Sequence, residues 1–125
     1  MNGKRYLLDT CTLIGLQKQS PESVALLAEK GVYLSQCGIS VITYIEFVGF
    51  HGADKATSQH LMAIAQRFTQ FPISNEIRDL AIALRQHHKI KLPDTLILAT
   101  AKAHNLTLLT LDEKLARIYQ QTDLI

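Results

Sequence analysis

Hydrophobic positions along the chain follow two alternating patterns, which together predict an α/β fold. Short apolar runs at residues 6–8 and 106–110 are typical of strands, and apolar residues at helical spacing follow both of them. The second run is apolar on both faces, which favours the middle of a parallel sheet that helices cover on both sides. We therefore expect a central parallel sheet of four or five strands between layers of helices.

Residues with strong capping preferences mark the ends of several predicted helices. Pro21 and Gly31 bound the second helix, because proline suits a first helical position and glycine a C-terminal stop. Ser74 is expected to cap another helix, and Thr43 with Glu46 fits the capping box that starts the third. The predicted helices cover residues 12–19, 20–31, 43 onward, 53–70 as one or two helices, 74 to the basic residues 87–89, 94–104 and 112–120. The remaining predicted strands cover residues 32–40, 71–73 and 122–125.

Composition narrows the class of protein but does not name a function. The 125 residues are 47% hydrophobic and 19% charged, which excludes a disordered chain and fits one compact domain over residues 1–125. No apolar stretch is long enough to span a bilayer, and Asp9 interrupts the apolar run that a secretory signal would need. We therefore expect a cytoplasmic protein with no membrane partner. The net charge of +2 permits binding to a polyanion without requiring it.

Four carboxylates occupy positions where strands end or helices begin. Asp9 closes the first strand, and Glu46 lies in the first turns after the second. Asp94 stands at a helix start, and Asp112 follows the last apolar run by two residues. Because ligand sites of parallel sheets lie at the carboxyl ends of the strands, we expect the four to share one edge. Three of them could instead be ordinary helix-terminal acids, whereas Asp9 is expected to have no capping role.

Such a cluster of like charges needs a compensating cation. Two carboxylates about 5 Å apart repel by roughly 3 kcal/mol at an effective dielectric constant of 20. Oxygen ligands suit Mg²⁺ or Mn²⁺, and such a cation activates water for in-line attack on a phosphodiester. Crowding also predicts raised carboxyl pKa values, so the metal-free fold is expected to gain stability as the pH falls.

Four stretches in a fixed order span almost the whole chain. They are LLDT with LI at 7–10 and 13–14, ISVITYIE at 39–46, PDTLILATA at 93–101 and LLTLD at 108–112. In this order and spacing they resemble the motifs of PIN-domain ribonucleases, most of all the VapC-type toxins of bacterial type II toxin–antitoxin pairs. The resemblance implies a PIN-like sandwich of helices around a parallel sheet and a Mg²⁺- or Mn²⁺-dependent endoribonuclease that a small cognate antitoxin inhibits.

The resemblance also assigns the acidic site. It implies that Asp9, Asp94 and Asp112 hold the metal, that Glu46 binds a second ion or a metal-bound water, and that Thr110 is a supporting hydroxyl. The sequence departs from the family at two places. Cys11 stands where a small polar residue usually follows the first acid, and Lys114 with Leu115 stands where a further Asp and a Phe are common. The first departure removes a side chain that the family would use to orient Asp9 by a hydrogen bond, and the second is expected to weaken metal binding.

Further residues are candidates for contacts with partners. Four basic residues, Arg85, Lys89, Lys91 and Lys102, surround Asp94 in sequence and could hold RNA phosphates, although a solvated basic surface would have the same pattern. In the resembled family, the helices corresponding to residues 53–71 carry a dimer or antitoxin surface. A homodimer and a cognate antitoxin are therefore the expected protein partners.

Alternatives from other classes fit the residues less well or stay open. A phosphoacceptor receiver domain would have adjacent acids after the first strand, but Thr10 follows Asp9. A haloacid-dehalogenase-like phosphatase would have a second Asp where Cys11 stands. A stand-alone PIN nuclease without an antitoxin and a catalytically silent binding module, in which the acids only cap helices, both remain open.

Overall fold

Four short parallel strands form the centre of the computed structural model, which describes residues 3–122. Within these residues the strands are β1 (Tyr6–Leu8), β2 (Cys37–Ser40), β3 (Thr69–Phe71) and β4 (Thr107–Leu109). They are ordered β3-β2-β1-β4, and every neighbouring pair is parallel. The predicted α/β class and parallel sheet are confirmed.

Helices cover both faces of this sheet. They are α1 (Thr10–Gln17), α2 (Pro21–Lys30), α3 (Val41–Val48), α4 (Lys55–Ala65), α5 (Asn75–His87), α6 (Leu92–Ala103) and α7 (Glu113–Gln121), with a 3-10 helix at Leu34–Gln36. Because successive strand residues point to opposite faces, Leu7 joins a core with α5, α6 and α7, whereas Leu8 joins a core with the first four helices. None of the helices described here is long and apolar enough to cross a membrane.

Several predicted helix ends are confirmed by their capping geometry. Gly31 ends α2 in the left-handed conformation with φ of +64°, as expected for a C-terminal glycine. The Ser74 side chain caps α5 by accepting a hydrogen bond of 3.2 Å from the backbone N–H of Ile77. Asn105 has φ of +56° between α6 and β4, the stop expected of an asparagine at this point.

Other predicted boundaries are wrong. The third helix begins at Val41, because the hydroxyl of Ser40 accepts from the N–H of Ile42, so Thr43 and Glu46 lie inside the helix and form no capping box. The first helix begins two residues early, at Thr10.

Two strands and one helix are also shorter or displaced. The strand predicted over residues 32–40 is confined to β2, because the 3-10 helix occupies the residues before it. The helical pattern over 53–70 yields only α4, and its last residues turn into β3 instead. The strand predicted at 71–73 ends at Phe71, since Pro72 has no N–H to donate to a ladder. The strand predicted at 122–125 falls almost wholly outside the described residues.

Candidate active site

The register of the sheet places the residues after β1 and β4 side by side. Leu8 pairs with Ile39 on one side and with Leu109 on the other. The residues that follow Ile39 and Leu109 therefore lie beside Asp9, and Thr110 is the neighbour of Asp9 on the β4 side. Asp9 is 5% exposed, so its carboxylate lies at the floor of this edge of the sheet.

Both carboxylate oxygens of Asp9 are engaged by the protein. One accepts a 2.8 Å hydrogen bond from the backbone N–H of Thr12, which makes Asp9 the N-cap of α1. The other accepts a short hydrogen bond from the hydroxyl of Thr110. The expectation that Asp9 has no capping role is therefore wrong. Its physical reason is that α1 begins directly after the strand, which leaves the acid at the one position where it can accept from the first turn.

Thr110 connects Asp9 to a second acid. While its hydroxyl donates to Asp9, it accepts a 3.0 Å hydrogen bond from the backbone N–H of Asp112. Asp112 in turn caps α7, since its carboxylate accepts a 3.1 Å hydrogen bond from the N–H of Leu115. Thr110 thus lies beside the acids, as the resemblance implies, and it contacts a carboxylate as well as backbone.

Glu46 is held by a threonine that sequence reasoning missed. The hydroxyl of Thr10 donates a 2.6 Å hydrogen bond to Oε1 of Glu46, and it lies 3.1 Å from the hydroxyl of buried Thr43. Glu46 itself is exposed on α3. The available signal was spacing, because Thr43 and Glu46 stand three residues apart and so share a helix face that Thr10, beside Asp9, could reach.

Asp94 lies in the first turn of α6 without capping it. The N-cap residue is Lys91, whose side chain makes no cap hydrogen bond, and the Asp94 carboxylate has no hydrogen bond with residues 3–122. Burial raises the pKa of this carboxyl, and the negative charges of Asp112, Asp9 and Glu46 raise it further, against a lowering effect of Lys91. The raised pKa predicted for crowded carboxylates thus holds for Asp94.

Cys11, on α1, is also affected by the negative charges of the four acids. Burial raises the pKa of its thiol, and all four acids add to that shift. The thiol is therefore kept protonated beside the carboxylates. Together with Asp94, it indicates that the four acids share one negatively charged edge.

A family model described as the PIN domain matches residues 6–121. This chain belongs to the PIN domain family. A toxin–antitoxin complex from Klebsiella pneumoniae is 38% identical over 82% of each chain, with a TM-score of 0.69. VapBC2 from Rickettsia felis, bound to a promoter DNA fragment, is 26% identical over 96% of this chain and 95% of that chain, with a TM-score of 0.70.

FitAcB from Neisseria gonorrhoeae matches this PIN domain in fold, with 23% identity over 92% of this chain and 93% of that chain and a TM-score of 0.72. No curated protein matches this chain. The resemblance to VapC-type PIN toxins is confirmed by the family match together with these structural neighbours.

The donors at the acidic edge of this PIN domain fit a hard divalent cation, although they do not form a complete cage. Among residues 3–122, no three His, Cys, Asp or Glu side chains are arranged to hold a metal ion. The expected set of four ligands is therefore not assembled as one. Mg²⁺ typically binds through one or two carboxylates and keeps several waters, so it does not need such a cage. The oxygen donors and the negative charge around Asp94, which Lys91 offsets only in part, fit that mode of binding.

A groove of about 470 Å³ opens beside two of the acids. It is lined by Arg85, Lys89, Ile90, Lys91, Asp94, Asp112, Lys114 and Leu115. The structure therefore places Arg85, Lys89 and Lys91 in one groove with Asp94, whereas the ammonium of Lys102 lies over the ring of Tyr119. It also adds Lys114, whose ammonium donates a 2.6 Å hydrogen bond to the backbone carbonyl of Lys89.

Proposed function

We propose that this PIN domain is a metal-dependent endoribonuclease that hydrolyses RNA phosphodiester bonds, and that it is the toxin of a toxin–antitoxin pair. Membership of the PIN family supports a nuclease. The observation that carries the proposal is the raised pKa of Asp94, to which Asp9, Glu46 and Asp112 all contribute. Helix capping alone does not explain why four carboxylates lie close enough to interact electrostatically.

Asp9, Asp94 and Asp112 are the proposed ligands of Mg²⁺ or Mn²⁺, with Glu46 binding a second ion or a water. When bound, the cation supplies stabilisation of the charge that develops on the phosphoryl oxygens and activation of the attacking water. The carboxylates are suited to it because each oxygen that already accepts one hydrogen bond keeps a further lone pair.

The protein's own contribution is to orient these carboxylates before substrate arrives. The Thr110 hydroxyl fixes Asp9 relative to Asp112, and the Thr10 hydroxyl fixes Oε1 of Glu46. Oε2 of Glu46 has no hydrogen bond with residues 3–122 and Glu46 is an exposed residue, so Oε2 is the proposed acceptor of a proton from the attacking water. Preorganisation of this kind lowers the barrier because the groups need not move during the reaction.

A cognate antitoxin, a homodimer and a cytoplasmic location complete the proposal. The neighbours described as toxin–antitoxin complexes support the antitoxin. The segment 53–71, which contains α4, is the proposed surface for the antitoxin or for a second copy of the chain.

The test is cleavage of a labelled single-stranded RNA by the purified protein with Mg²⁺, with Mn²⁺ or with a chelator. We expect cleavage only with metal, and none by the Asp94→Asn variant. Cleavage that survives the chelator or the substitution would contradict the metal-dependent mechanism. Growth arrest on expression, relieved by co-expression of a short neighbouring gene, separates a toxin from a stand-alone nuclease.

A further inference from the structure

The groove beside Asp94 and Asp112 carries basic side chains that the acidic edge does not use. We call it the basic groove, and its cations are Arg85, Lys89, Lys91 and Lys114. The first three lie on α5 and on the segment between α5 and α6, and Lys114 lies in the first turn of α7. Two different parts of the fold therefore place like charges around one concave surface.

The side chains of Arg85, Lys89 and Lys91 are exposed and make no hydrogen bond or ion pair with residues 3–122. In the same part of the chain, Arg78 shows the alternative, because its guanidinium lies 2.9 Å from the carboxylate of Asp79. Asp94 and Asp112 line the same groove and offset part of this positive charge, but the four cations outnumber the two acids, and a polyanion relieves the remaining repulsion. The groove is thus suited to a ligand that brings several negative charges in a row.

Lys114 also ties the two walls of the groove together. Its ammonium donates a 2.6 Å hydrogen bond to the carbonyl oxygen of Lys89, which joins α7 to the segment before α6. Asp112, the N-cap of α7, is two residues from Lys114, and Asp94 follows the joined segment. The contact therefore sets the spacing between the basic wall and two of the acids.

We propose that the basic groove binds phosphates of the RNA nucleotides next to the scissile bond, and that Lys114 is the positioning residue that holds its wall in place. This inference rests on the proposed endoribonuclease function. RNA is favoured over an acidic protein because the groove is continuous with the acidic edge, so one strand can lie in the groove and still reach Asp94 and Asp112.

The decisive experiment measures RNA binding as a function of salt. In the Asp9→Asn background, the affinity for a short labelled single-stranded RNA is compared for Arg85→Gln/Lys89→Gln/Lys91→Gln and for Arg5→Gln/Lys30→Gln/Arg78→Gln. The second set removes equal charge from exposed residues that do not line the groove. Three lost phosphate contacts reduce the slope of log affinity against log salt by about 2, and affinity at low salt by on the order of tenfold. We expect that change in the groove variant only.

Equal effects of the two triple variants, or no effect of either, would overturn the groove as a binding site.

The role of Lys114 is tested by Lys114→Met and Lys114→Arg in the active protein. Lys114→Met is expected to raise the KM for RNA several-fold with little change in kcat, and Lys114→Arg to restore it, because positioning of a binding wall affects substrate binding. An unchanged KM in Lys114→Met would overturn the positioning role.

The two proposals can fail separately. If the unmodified protein cleaves no RNA with either metal, the proposed function is wrong. If it cleaves RNA while the groove variant keeps the full salt dependence of binding, the nuclease stands and the basic groove is overturned.

Discussion

Asp9 and Asp112 are tied to the backbone at helix N-termini, whereas Glu46 and Asp94 are not. The first two, the capping pair, accept hydrogen bonds from the first turns of α1 and α7 and share the hydroxyl of Thr110. The other two, the non-capping pair, lie within α3 and α6, where Glu46 is held by one hydroxyl and Asp94 by none among residues 3–122. Half of the acidic edge therefore contributes to folding, and half contributes little besides negative charge.

Capping and a functional role do not exclude each other. A carboxylate at a helix start can be interpreted as a cap or as part of a site, and in the proposed site the capping pair has both roles. The cap holds one oxygen of each carboxylate in place, and in Asp9 the second oxygen is held by the hydroxyl of Thr110. The non-capping pair is then the better evidence for function, because neither acid caps a helix and only Asp94 gains the modest stabilisation of a first-turn acid.

The largest effect is expected for removal of the Asp9 charge. Asp9→Asn should lower metal-dependent RNA cleavage by at least about 10³-fold, which corresponds to about 4 kcal/mol of transition-state stabilisation. Its amide oxygen can still accept from Thr12, so the metal-free fold should be as stable as the unmodified protein or more so. Asp9→Ala should be equally inactive and less stable by about 1–2 kcal/mol, since it removes the cap.

Urea unfolding without metal, beside a cleavage assay, checks both variants. Equal stability of the Asn and Ala variants would show that the cap contributes nothing, and the distinction between the two pairs would be lost. Residual cleavage by Asp9→Asn would instead remove Asp9 from the site.

The second largest loss of RNA cleavage is expected when the hydrogen-bond link between Asp9 and Asp112 is removed. Thr110→Val removes the hydroxyl that joins Asp9 to Asp112, and groups that orient metal ligands typically contribute about 10- to 100-fold to activity. Thr107→Val, at an exposed position of β4, the strand that Thr110 follows, is the matched control and should keep full activity. If both variants cleave RNA equally well, the Thr110 hydroxyl has no part in orienting the acids.

Loss of a cap should be separable from loss of the site. Asp112→Ala and Ser74→Ala each remove a side chain that accepts from a first-turn N–H, in α7 and α5 respectively. Each is expected to lose about 1 kcal/mol of unfolding free energy, and only Asp112→Ala should lose RNA cleavage. Impaired cleavage by Ser74→Ala would mean that helix stability alone explains the activity losses.

Some features of the fold could be predicted from local sequence patterns, and others could not. Helix and strand types could be predicted, because apolar periodicity and residues such as Gly31 and Ser74 act locally. The start of α3 could not, because both Ser40 and Thr43 suit an N-cap, and the choice depends on where the strand stops pairing.

The links between the acids were also beyond local patterns. Thr10 meets Glu46 across 36 positions and Thr110 meets Asp9 across 101, so only the assembled sheet brings them together. The positions of Asp9 and Asp112 close to the ends of β1 and β4 could be predicted, since strand ends can be located from the sequence. Which hydroxyl orients which carboxylate depends on register, and register is a property of the folded sheet.

The smallest expected effect is a pH-dependent change in the free energy of unfolding when the charge of Asp94, a member of the non-capping pair, is removed. The folded-state pKa of Asp94 lies above its ordinary value of 3.8, so the folded protein binds more protons than the unfolded chain between those two values. Metal-free stability should therefore fall as the pH rises through the folded-state pKa and be fully regained below the ordinary one. Asp94→Asn removes this penalty, so it should be more stable than the unmodified protein near neutral pH and equal to it in acid.

Urea unfolding at a series of pH values without metal measures that difference. Glu29→Gln, which neutralises an exposed carboxylate on α2, controls for a general change in net charge and should not reproduce it. An Asp94→Asn variant that is less stable at neutral pH would mean that the carboxylate has a stabilising partner after all. In that event Asp94 would belong with the capping pair, and the argument that the fold has no need of it would no longer support a catalytic role.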